Sequence, residues 1–262
     1  MFDAHCHLDF PIFDTHREAL IEDAKAQGIA GMLVAGVDRE GWQRQRALAE
    51  RFNCVHLAYG LHPWKVAEMS DLELPKALDA LDKALAGSGR IMPVALGETG
   101  LDRSRKVDAA SMPRQERAFR SQLAMARAWD LPVILHVVKA QGRALEIIQS
   151  DGLPQAGGMI HAFSGSPEMA KEWIRAGLHL SFSTAIARSQ AKKMRRAAAN
   201  VPLERLLSES DAPDQTPYPQ RDEPNVPANL PLAIKELAIA QGLKEETLAE
   251  ACAQNARRLF RL

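Results

Sequence analysis

The chain opens with Met1-Phe2-Asp3-Ala4-His5-Cys6-His7, a short run that ends in two histidines separated by one residue. On a β-strand, side chains two positions apart point to the same side. His5 and His7 would therefore face one way, and Cys6 would face the opposite way as a packing residue. Because histidine is the commonest metal ligand among side chains, this stretch predicts a strand that ends in a metal site.

The run at the N-terminus is the first of eight, and an amphipathic stretch of helical pattern follows each one. Eight strand–helix units in 262 residues predict an α/β protein, a (β/α)8 TIM-like barrel that forms a single hydrolase domain over residues 1–262. A doubly wound open sheet is the alternative, but no Gly-x-Gly-x-x-Gly loop follows the first run. The predicted strands are residues 2–7, 29–37, 54–60, 91–97, 132–138, 159–162, 178–182 and 206–209.

The composition is that of an ordinary globular protein, with 46% hydrophobic and 25% charged residues. Lys and Arg number 33 and so do Asp and Glu, so there is no basic excess and any nucleic-acid binding must depend on a local patch. Three widely spaced cysteines and the lack of a signal peptide predict a cytoplasmic protein. No apolar stretch is long enough for a membrane span, and no obligate protein partner is evident.

Polar residues end several of the apolar runs, at positions where a core residue would normally be apolar. In a barrel, the active site gathers at the C-terminal ends of the strands, and a buried charge or imidazole without a partner is costly. We therefore expect these side chains to converge on metal. Nitrogen and carboxylate ligands suit zinc, manganese or magnesium, and six of them suffice for two divalent ions. The predicted ligands are His5, His7, Glu98, His136, His161 and Asp211.

Two of the predicted ligands are also the predicted catalytic residues. Glu98 is the natural bridge between two ions, because a carboxylate has two oxygens. Asp211 can bind one ion and orient or deprotonate the attacking water. His62, which follows the third run, has two interpretations: it contacts substrate near the metals, or it fixes the loop in which it lies.

Longer motifs surround the predicted ligands and continue to the end of the chain: His5-Cys6-His7-Leu8-Asp9, Gly60-Leu61-His62-Pro63, Gly97-Glu98-Thr99-Gly100-Leu101-Asp102, the run from Pro132 to His136, His161-Ala162-Phe163-Ser164-Gly165, Glu209-Ser210-Asp211-Ala212-Pro213, Arg221-Asp222-Glu223-Pro224-Asn225 and Asn255-Ala256-Arg257-Arg258-Leu259-Phe260. Taken together, these motifs resemble the TatD-type metal-dependent deoxyribonucleases, which belong to the wider amidohydrolase barrels. The resemblance implies that His5, His7 and Asp211 hold one metal, that Glu98 bridges, and that His136 and His161 hold the second. It covers nearly the whole chain in order, with departures only at Val137-Val138-Lys139 and at Ala162, where the family usually has other residues.

The leading functional hypothesis is an enzyme that hydrolyses phosphodiester bonds in DNA, from the ends of chains or in single strands. A hydrolase of the amidohydrolase type that acts on a small amide, lactone or ester is the alternative, since the same metals perform that chemistry and fold does not determine substrate. A non-catalytic binding protein is disfavoured because all six ligands are present. The predicted substrate contacts are His62, Arg103, Lys139 and Arg221, with Arg105 and Lys106 as further phosphate contacts.

Overall fold

Parallel strands and helices alternate along the chain in the computed structural model, which describes residues 1–87, 89–217 and 223–262. Over these ranges the strands are β1 (Phe2–Cys6), β2 (Gly31–Val34), β3 (Val55–Tyr59), β4 (Ala95–Asp102), β5 (Val133–Val138), β6 (Gly158–Ile160), β7 (Leu178–Phe182) and β8 (Leu206–Ser208). The α-helices over the same ranges are α1 (Arg17–Ala26), α2 (Arg39–Arg51), α3 (Pro63–Glu68), α4 (Glu73–Leu85), α5 (Met112–Trp129), α6 (Gln141–Asp151), α7 (Pro167–Arg175), α8 (Lys192–Ala198), α9 (Leu230–Gln241) and α10 (Glu245–Phe260).

The chain divides into two units, and both of its ends contribute to one of them. The terminal unit comprises Met1–Val34 and His161–Leu262, and the central unit comprises Ala35–Ile160. The prediction of a single domain over the whole chain stays a prediction.

In the terminal unit, β1 pairs with β2 and β7 pairs with β8, all in parallel. Backbone hydrogen bonds join the carboxyl ends of β1 and β8: Asp211 donates to the His5 carbonyl at 2.9 Å, and His7 donates to the Ala212 carbonyl at 2.7 Å. The order within this unit is therefore β7-β8-β1-β2. These bonds bring the residues that follow β1 and β8 to one edge of the sheet.

Helix α7 illustrates how the local sequence defines an element in this unit. The Ser166 hydroxyl caps its start by accepting from the Met169 backbone N–H at 3.3 Å, and Pro167 occupies the first turn. Ala170 and Trp173 lie three residues apart, as one face of an amphipathic helix requires, and both are buried.

In the central unit, the parallel order is β3-β4-β5-β6. Strand β4 begins later than the predicted 91–97 and continues through the polar motif to Asp102, because backbone pairing with β5 resumes beyond a register shift. Gly100 permits this pairing. Its φ is +138°, and a Cβ there would lie 2.1 Å from the His136 carbonyl oxygen.

Two further details differ from the predicted elements. Helix α3 was not predicted, because its six residues are too few to show a helical hydrophobic period. His161, placed inside the sixth predicted strand, follows β6 directly. Over residues 1–87, 89–217 and 223–262, none of the helices has the length and apolar character that crossing a membrane requires.

Candidate metal-binding sites

Three predicted ligands meet at the carboxyl ends of β1 and β8 in the terminal unit. His5 Nε2 lies 3.2 Å from His7 Nε2 and 3.6 Å from Asp211 Oδ1, and His7 Nε2 lies 3.9 Å from the same oxygen. All three side chains are buried, and one ligand atom from each lies within 4.8 Å of the others. Two imidazole nitrogens and a carboxylate oxygen at this spacing form a donor set that suits a divalent ion.

A fourth predicted ligand, His161, joins this group together with a residue that was not predicted, Glu209. The His161 ring stacks on the His5 ring with centroids 4.2 Å apart. His161 Nδ1 lies 3.8 Å from Glu209 Oε1 and 4.0 Å from Asp211 Oδ1. His5, His161 and Glu209 form a second group of three ligand atoms within 4.8 Å of one another. The signal in the sequence was the spacing of Glu209 and Asp211, which repeats that of His5 and His7.

Charge in this cluster is dominated by buried carboxylates. Burial, and then the nearby charge of Asp211, raises the pKa of Glu209 well above its usual value. Glu209 Oε1 accepts a hydrogen bond from the Ala162 backbone N–H at 2.5 Å. Such carboxylates are costly to ionise without a cation, so the group fits a bound metal ion on chemical grounds.

Asp3, which was also not predicted from the sequence, binds Ser210, the residue that precedes Asp211 of the cluster. Its carboxylate accepts hydrogen bonds from the Ser210 hydroxyl at 2.5 Å and the Ser210 N–H at 2.8 Å. Burial raises the pKa of Asp3 to about 7. Asp211 itself has a φ of +58°, a left-handed conformation that an aspartate tolerates and that the Asp3–Ser210 contact helps to hold.

The central unit contains its own cluster, formed by His62, Glu98 and His136. Glu98 Oε1 lies 3.4 Å from His136 Nδ1 and 3.5 Å from His62 Nε2, and the two imidazole nitrogens are 3.2 Å apart. Glu98 and His136 come from the paired strands β4 and β5, and His62 follows β3. All three side chains are buried. The structure thus brings the two predicted ligands of this unit together.

Asp102 orients His136 within this cluster. Its Oδ2 lies 2.9 Å from His136 Nε2 and also accepts from the Trp64 indole N–H at 2.6 Å. Burial lowers the pKa of His136, but hydrogen bonds to Asp102 and Glu98 outweigh it and raise that pKa to about 9. Burial raises the pKa of Asp102, but the hydrogen bond with His136 and those from Ser104 and Trp64 outweigh it and hold that pKa well below its usual value. With its proton on Nε2 facing Asp102, His136 presents Nδ1 to a metal ion.

His62 has the opposite arrangement to His136, although it belongs to the same group of three possible ligands. It is the N-cap of α3, and its Nδ1 accepts the Trp64 backbone N–H at 3.0 Å. Neutral His62 therefore carries its proton on Nε2, the nitrogen that faces Glu98 and His136. The ring fixes its loop through this bond and directs Nε2 into the cluster. That His62 contacts substrate stays a prediction.

Two of the remaining predicted substrate contacts lie at the same end of the sheet in this unit. Asp102 pairs with Val138 in register, so Arg103 and Lys139 follow neighbouring strand ends. Both are exposed, and the Arg103 backbone N–H donates to the Val138 carbonyl at 2.9 Å. Lys139 has a φ of +53°, which turns the chain as β5 ends. Arg221 lies outside the described residues.

Comparison with known proteins identifies the family. The model of the TatD-related DNases matches residues 2–261. This chain belongs to that family. The uncharacterized metal-dependent hydrolase YabD of Bacillus subtilis is 33% identical, over 100% of this chain and 99% of its own. A protein of Cronobacter sakazakii named 3'-5' ssDNA/RNA exonuclease TatD is 32% identical, over 99% and 97%.

A solved TatD-family structure confirms the fold class. The crystal structure of YjjV from Escherichia coli K12 is 32% identical and has a TM-score of 0.92, with 100% of this chain and 98% of that one covered. The predicted (β/α)8 TIM-like barrel class is confirmed, and the chain is a TatD-family metal-dependent hydrolase. Histidine and carboxylate clusters compatible with metal binding agree with that assignment.

Proposed function

We propose that this TatD-family hydrolase cleaves phosphodiester bonds in DNA, working from the ends of single strands with water activated at two divalent metal ions. One observation supports the metal chemistry above all. Each unit holds a buried cluster in which imidazole nitrogens and carboxylate oxygens lie within 4.8 Å of one another. The name of the Cronobacter relative, a 3'-5' ssDNA/RNA exonuclease, supports the substrate class.

In this proposal, His5, His7 and Asp211 hold one ion and His136 and Glu98 hold the other. His161 stacks on His5 and lies near Asp211, so we add it, with Glu209, to the group in the terminal unit. That Glu98 bridges the ions stays a prediction. Zinc, manganese or magnesium, when bound, lowers the pKa of water and balances charge on the phosphate in the transition state.

The side chains of the chain itself have distinct roles in the reaction. Asp211 accepts the proton of the attacking water, since its carboxylate lies at the end of β8 among three histidines. His62 donates from Nε2 to a substrate oxygen, because its Nδ1 is already occupied as an acceptor. Arg103 and Lys139 meet the phosphates at the rim of the central unit.

Cys6, Cys54 and Cys252 are not joined in disulfides, which is consistent with a reducing compartment, and we propose that the enzyme acts in the cytoplasm as a single domain. Cell fractionation with a periplasmic marker tests the location. DNA is the one partner that the proposal requires.

End-labelled single-stranded DNA, its circular form, a duplex and an RNA of the same sequence test the function, each with magnesium, manganese, zinc or EDTA. We expect linear single strands to be shortened stepwise, the circle to survive, and EDTA to stop the reaction. Cleavage of the circle at the linear rate would contradict the exonuclease.

A lactone, an amide and an aminoacyl ester complete the panel. Turnover of one of these, with all nucleic acids intact, would establish the small-molecule alternative instead.

A further inference from the structure

Trp64, in the first turn of α3, lies at the edge of the cluster in the central unit. Its ring contacts the rings of His62 and His136 in T-shaped geometry, with centroids 4.8 and 5.9 Å apart. Although it packs against this polar cluster, the residue stays 39% exposed. Part of this aromatic residue is thus accessible to solvent beside two imidazoles of the candidate site.

The orientation of this ring is held by a charged acceptor. The indole N–H donates to Asp102 Oδ2 at 2.6 Å, and His136 Nε2 lies 2.9 Å from the same oxygen. Hydrogen bonds to an ionised carboxylate are short and strong. The ring therefore loses little conformational freedom when a flat ligand stacks on it, and it is tied to a predicted metal ligand through one carboxylate.

The cationic side chain of Lys106 lies close to the Trp64 ring. Lys106 Nζ lies over the indole at 5.6 Å from its centroid. Within residues 1–87, 89–217 and 223–262, no carboxylate lies within salt-bridge distance of this ammonium. A nucleotide combines a flat base with an anionic phosphate, and the pair formed by Trp64 and Lys106 offers a surface for each.

We propose that Trp64 is a stacking platform for a nucleobase of the substrate strand and that Lys106 pairs with the phosphate beside that base. This inference rests on the proposed nuclease function and names how the strand is held. Every base has a π-face, so the platform favours nucleic acid over small substrates without selecting a sequence.

The test measures binding of a labelled oligonucleotide and of an abasic oligonucleotide with the same backbone, with EDTA present. We expect Trp64→Ala to weaken binding of the intact strand roughly 10–100-fold and to leave the abasic strand unchanged. Trp64→Phe keeps a stacking ring and should bind the intact strand within about threefold of the wild type. Trp129→Ala is the matched control, since Trp129 is 42% exposed and its N–H donates to Asp82 at 2.9 Å.

The outcomes separate this inference from the nuclease proposal. Equal binding of intact and abasic strands by the wild type, or equal losses in Trp64→Ala and Trp129→Ala, would overturn the platform even if the wild type degrades DNA. If Trp64→Phe loses as much affinity as Trp64→Ala, the indole N–H rather than the ring matters, and the platform is again wrong. Base-dependent binding without cleavage in any metal would support the platform and reject the nuclease.

Discussion

The clusters in the two units use the same ligand types but balance charge differently. In the terminal unit, burial raises the pKa of Asp3 to about 7 and that of Glu209 well above its usual range, close to Asp211. In the central unit, the pKa of Asp102 is held low and that of His136 is raised to about 9, so the two form an ion pair. A cation bound in the terminal unit would replace protons on carboxylates, whereas one bound in the central unit would replace a proton on an imidazole.

Similar ligand sets can therefore depend on different surrounding charges and hydrogen-bond donors. The terminal cluster is short of positive charge, and its carboxylates are held by backbone and hydroxyl donors such as Ala162 N–H and the Ser210 hydroxyl. The central cluster already contains both signs of charge, and its geometry depends on Asp102. Substitutions in the two units should therefore fail in different ways.

The largest effect is expected from Asp211→Asn in the terminal unit. Asparagine keeps the shape but removes both the charge proposed to hold metal and the basicity proposed to activate water. A general base contributes roughly 10²–10⁴-fold, so kcat on a linear single strand should fall at least that far at saturating metal. More than about a tenth of wild-type kcat would remove Asp211 from the role of base.

Thermal unfolding with metal and in EDTA is the control for that variant. Since the substitution leaves the barrel core untouched, the melting temperatures of Asp211→Asn and wild-type protein with metal present should differ only by the stabilisation that lost metal binding removes.

A smaller loss is expected from Asp102→Asn in the central unit. Residues that orient a metal-binding histidine typically contribute 10–100-fold to metal affinity or activity, so a loss of about that size is expected here. Titration with a divalent ion, followed by calorimetry, measures it. Asp108→Asn is the control, because Asp108 is exposed and only caps a short 3-10 helix. Equal affinity in both variants would mean that Asp102 does not orient His136.

The two units should also respond to pH in different windows when metal is removed. Folding raises the pKa of Asp3 from 3.8 to about 7, so its contribution to stability is present below pH 3.8 and is lost as pH rises to 7. Folding raises the pKa of His136 from 6.5 to about 9, so its contribution is present below pH 6.5 and is lost as pH rises through 9. These shifts correspond to about 4 kcal/mol for Asp3 and about 3 kcal/mol for His136.

Urea denaturation in EDTA between pH 4 and 9.5 tests these pH windows by comparing the free energy of unfolding of the wild type with that of two variants. Asp3→Asn should flatten the loss of stability between pH 4 and 7, and His136→Gln should flatten it between pH 6.5 and 9. If both variants flatten the loss of stability over the same pH window, the two clusters do not differ in their charge balance.

The smallest effect is expected from Lys139→Ala at the rim. Lys139 is exposed and is proposed to meet a phosphate as a point charge, so KM should rise about threefold to tenfold at low salt while kcat changes little. Lys192→Ala, at the exposed start of α8, should leave both constants unchanged. An unchanged KM with a collapsed kcat would show that Lys139 acts on the reaction rather than on binding.

Several features of the site were predictable because they follow from local patterns. The alternation of short apolar runs with helical stretches predicts the barrel class. The spacing of His5 and His7 on a strand predicts that they face one way, and their Nε2 atoms lie 3.2 Å apart. Glu98, His136, His161 and Asp211 stood out because each ends an apolar run.

Other features were decided by the tertiary structure alone. Asp3 supports Ser210, which is 207 positions away in the chain, and no local pattern encodes that contact. In the sequence, Asp102 is only the last residue of a motif. The pairing of β4 with β5 places it against His136. The sequence by itself indicated six side chains that could bind metal, but not Glu209, because periodicity and residue chemistry are local. Only the fold decided their protonation, their partners and the exposure of Trp64, because these depend on burial and on long-range contacts.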